Sequence, residues 1–77
     1  MEGSAINIDK EILGGVPVFM GTRVPIKNLF DYIETGDTID EFLNDFEGVR
    51  RDQVIKVLEM SNQLIQSSSA ILYENIA

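Results

Sequence analysis

The run Gly14-Gly15-Val16-Pro17-Val18-Phe19-Met20-Gly21-Thr22-Arg23-Val24-Pro25-Ile26 constrains this chain more than any other stretch. It gathers Gly14, Gly15 and Gly21 with both prolines of the sequence. Proline fixes φ and biases the residue before it toward extended geometry, while glycine admits positive φ, so the path of this backbone is dictated. Val18-Phe19 reads as a strand and Met20-Gly21 as a tight reversal with Gly21 at positive φ. Arg23-Val24 then leads out again. Two uses of such a turn stand side by side: shaping the backbone alone, or touching a ligand directly. Arg23 divides the same way, between a multi-donor tie to Asp9 or Glu11 and a member of a basic patch.

Residues 1–5 read as a flexible lead. Ala5-Ile6-Asn7-Ile8-Asp9 alternates apolar and polar, a short strand pattern, and Asp9 begins a turn. Beyond the Gly/Pro run the period changes from two to 3.6. Pro25 suits the first position of a helix, Ile26, Leu29, Phe30 and Ile33 fall at i, i+3, i+4, i+7, and Gly36 closes the helix. Thr38-Ile39-Asp40-Glu41 is a capping box opening a second helix, with Ile39, Phe42, Leu43 and Phe46 as its stripe and Gly48 at its end. A third helix spans Arg51 to Gln66, its inward face carrying Val54, Val57, Leu58, Ser61, Leu64 and Ile65. The expected fold is mainly α: a three-helix, helix-turn-helix-like domain over residues 6–66, with a short N-terminal β-hairpin.

The register of the third helix continues into Ser68, Ile71, Leu72 and Ile76, although Ser67-Ser68-Ser69 favours a break. Residues 67–77 therefore form a tail. Its apolar residues, Ile71, Leu72, Tyr73 and Ile76, either dock on the domain as core or serve as a partner-binding segment.

Seventy-seven residues make one small domain, and oligomerisation often supplies the burial such a domain lacks. A two-stranded ribbon is hardly stable alone, so a homodimer joined through the N-terminal strands is expected. Cysteine and histidine are both absent, which removes disulfides, thiolate metal ligands and the commonest general base. No nucleophile, base and orienter can be assembled from the rest, so no enzymatic activity, cofactor or metal is expected. The start Met1-Glu2-Gly3-Ser4 has no signal-peptide character and no run reaches membrane-spanning length; a cytoplasmic location is expected.

The net charge is −7, opposite to the basic surface that phosphate binding calls for. Counting 100° per residue from Val54, the outward face of the third helix holds Asp52, Lys56, Glu59 and Gln63, of which only Lys56 and Gln63 suit a groove. Arg50 and Arg51 at its start, with Lys27 and Arg23, complete the DNA-binding candidates. The balance of charge suits a basic protein partner better.

The quoted run, Gly-Gly-x-Pro-Val-Phe-x-Gly-Thr-Arg-Val-Pro-Ile, resembles the signature of domain-of-unknown-function family 433, and the resemblance covers roughly residues 6 to 62. That family is similar to VapB-type antitoxins, in which a small helix-turn-helix domain represses its operon and neutralises a PIN-type ribonuclease toxin. The resemblance thus implies a PIN-type toxin and operator DNA as partners. The alternatives are a stand-alone DNA-binding regulator and a structural dimerisation module. This chain departs from the family pattern at Lys10, where a Pro is usual, and at Val16 and Met20, where basic residues are usual. It also has Phe46-Glu47-Gly48-Val49-Arg50 where the family resembles Tyr-Pro-x-Leu-Thr. Loss of the two bases leaves Val16, Phe19 and Met20 as expected apolar surface, suited to protein contact.

Overall fold

A computed structural model describes residues 5–76. The order is β1 (Ile6–Asn7), a one-turn helical segment (Leu13–Gly15), β2 (Val18–Phe19), then α1 (Ile26–Glu34), α2 (Ile39–Asp45), α3 (Arg51–Ser67) and α4 (Ser69–Ile76). The fold is mainly helical with a short two-strand antiparallel ribbon, as the sequence pattern implies.

The ribbon is tied by the turn chemistry of its sequence. β1 pairs antiparallel with β2, Ile6 opposite Phe19 and Asn7 opposite Val18. Asp9 does start a turn without a following proline: its carboxylate accepts from the Glu11 N–H at 2.9 Å and its carbonyl from the Ile12 N–H at 2.8 Å. The reversal after β2 is closed by Thr22, whose hydroxyl donates to the Phe19 carbonyl and accepts from the Val24 N–H. Gly21 takes φ +81° there, a left-handed angle that would strain any residue with a Cβ. The returning strand bridges Val18 to Pro25. Pro25 caps α1 and does not occupy its first turn, and it leaves the Ile26 N–H to donate back to Pro17.

Thr38 and Glu41 form the capping box of α2, while Gly36 ends α1 at φ +86°. The helices close over one core of Ala5, Phe19, Leu29, Phe42, Val49, Val54 and Val57. Four rings lie at its centre: Phe42 stands 4.9 Å from Phe46, 5.3 Å from Tyr32 and 5.8 Å from Phe19, centroid to centroid. Tilted and edge-on arrangements at these spacings are the favourable ones for aromatic pairs.

Several expectations are corrected. Ala5 belongs to the core and donates no flexibility to a lead; its carbonyl accepts from the Met20 N–H at 2.8 Å. The remainder of the expected lead, residues 1–4, lies outside the described residues. Phe19 is fully buried, so of the three apolar residues expected at the surface it is core, Met20 is half-buried and Val16 alone is exposed. Leu64 and Ile65 do not face inward. They are 67% and 58% exposed, because α3 runs on after the core has ended. Ile33 is exposed for the same kind of reason, at the end of α1. The serine run does interrupt the helix, at Ser68 (φ −98°, ψ 9°), but the chain resumes as α4.

Candidate functional site

Gln53 and its contacts place α3, and with it the surfaces available to partners. Arg50 lacks a side chain able to cap the helix, and the Gln53 carbonyl oxygen supplies half of a capping box by accepting from the Arg50 N–H at 2.9 Å. The Gln53 amide then donates to the Met20 carbonyl at 2.9 Å, across thirty-three residues of sequence. This side chain is 3% exposed and holds the start of α3 against the glycine turn. Sequence reasoning missed it. The spacing of Gln53 from Arg50 was its one legible signal.

The six DNA-binding candidates do not assemble into a free cationic face. Arg50 donates from Nε to Asp52 at 3.0 Å, and this guanidinium holds the Asp52 carboxyl below the usual carboxylate range. Arg51 pairs with Asp40 of α2, and Lys27 with Asp31 at 2.8 Å, the contact that raises the Lys27 pKa. Arg23 and Lys56 are exposed and make no ion pair among the described residues, so the tie from Arg23 to Asp9 or Glu11 is not formed. Gln63 is exposed on the outward side of α3. Exposed pairs such as these contribute little to stability, yet each sets a carboxylate beside a cation that a phosphate would have to displace.

A second surface has the opposite character. Between Lys27 and Arg50 no basic residue occurs, and Glu34, Asp37, Asp40, Glu41, Asp45 and Glu47 are all exposed. They ring the end of α1 and the whole of α2. Part of this acidic shoulder is fixed in place: Tyr32 Oη donates to Asp45 at 2.6 Å, Thr35 Oγ1 to Asp37 at 2.9 Å, and Glu41 is held in the capping box. The bond to Asp45 pushes the Tyr32 pKa up to about 12, with burial and the neighbouring carboxylates adding to it. Glu34 and Glu47 carry no internal hydrogen bond or ion pair among the described residues and present their charge to solvent.

The third surface is apolar. Leu64 and Ile65 stand exposed on the distal half of α3, and Tyr73 on α4 is 69% exposed. The side chains of Ile71, Leu72 and Ile76, the other tail residues expected to bind a partner, lie outside the described residues. No described helix is long and apolar enough to cross a membrane.

The chain belongs to a family of proteins of unknown function (DUF433), whose pattern matches residues 6–59. No curated protein and no solved structure gives a match to it.

Proposed function

We propose that this DUF433 chain is an antitoxin-like docking protein that binds and neutralises a basic ribonuclease toxin of the PIN type. The observation that carries the reading is the acidic shoulder of α1 and α2, Glu34 to Glu47, a stretch of sequence without a base, which among the described residues Arg51 of α3 reaches only at Asp40. A ribonuclease must attract a phosphate backbone and so presents positive charge where RNA lies. A surface of opposite sign competes for that place and speeds encounter. The tail, whose candidate anchors by sequence are Ile71, Leu72, Tyr73 and Ile76, adds an exposed aromatic at Tyr73, a residue type enriched among those that hold most of an interface's energy.

Autoregulation through DNA is the second activity of this reading, and a stand-alone DNA-binding regulator is its alternative. Arg50 and Arg51 at the start of α3 favour both, being exposed and adjacent. Release of Asp52 and Asp40 would free them for backbone phosphates.

The test is to purify this chain with the protein encoded by the neighbouring open reading frame and to measure ribonuclease activity with and without it. Inhibition is expected. The Glu34→Lys/Glu47→Lys variant should slow association by about tenfold or more at low salt. Unchanged association would remove the acidic shoulder from the interface. Tight, salt-sensitive binding to random duplex with no effect on the ribonuclease would favour the alternative.

A further inference from the structure

We draw no further inference here: the strongest candidate, the exposed apolar face on the distal half of α3 at Leu64 and Ile65, carries nothing, because nothing among the described residues shows what covers it.

Discussion

Val54 and Val57 are closed into the cluster with Phe19, Leu29 and Phe42, whereas Leu64 and Ile65, two and three turns further along one continuous face, stand in solvent. One helix therefore carries a covered half and a bare half written in the same pattern. The cause is length. α3 runs from Arg51 to Ser67 and rises roughly 25 Å at 1.5 Å per residue, more than a core built from two short helices and a two-strand ribbon can cover. Amphipathic spacing identifies a face that wants cover, and only the size of the neighbouring elements decides whether its own chain supplies it.

The largest effect should appear at the covered half. Phe42 is fully buried and touches three other rings, so Phe42→Ala should cost about 3–5 kcal/mol, comparable with the whole stability of a chain this small. Circular dichroism melts should show a chain unfolded or nearly so at ambient temperature. A loss under about 1 kcal/mol would mean that the core is not centred on this ring. Gln53→Ala comes next. It leaves the Met20 carbonyl and the Arg50 N–H without these partners in a partly buried place and should cost about 1–3 kcal/mol in urea titration. If it costs nothing, α3 is not held to the glycine turn as described, and the contrast between its halves loses its anchor.

Much of the covered region was legible in the sequence. The glycine at φ +81°, the Asp9 turn, the Thr38–Glu41 box and the stop at Gly36 each follow from a local rule that needs no partner. Burial was less legible. Val49 sits in the α2–α3 linker and Tyr32 lies beside the α1 stripe, yet both join the core: the turn after α2 folds back, with the Val49 N–H donating to the Phe46 carbonyl, and the α1–α2 corner brings Tyr32 to Phe42 and Phe46. The acidic shoulder was legible as a run of sequence without a base, but not which of its carboxylates are tied down, as Asp45 is by Tyr32. Ion pairing of Arg51 with Asp40 spans eleven residues and no spacing rule announces it.

Tyr32 offers a graded probe on the covered side. Its pKa is pushed up to about 12, chiefly by donating to Asp45. The neutral phenol is the form the fold favours, so this contribution is complete below the unfolded value near 10 and is lost as pH rises toward 12. Ultraviolet titration should resolve one late-ionising tyrosine. Asp45→Asn should bring it back toward 10, since the carboxylate that penalises the phenolate is gone. A titration identical in the variant would show that burial, and not Asp45, sets the value.

The smallest effect should come from Leu64→Ala. An exposed leucine has almost no buried area to lose, so the cost to folding should stay below about 0.5 kcal/mol in urea titration. A cost of several kcal/mol would place Leu64 under cover within its own chain and erase the difference between the two halves of α3.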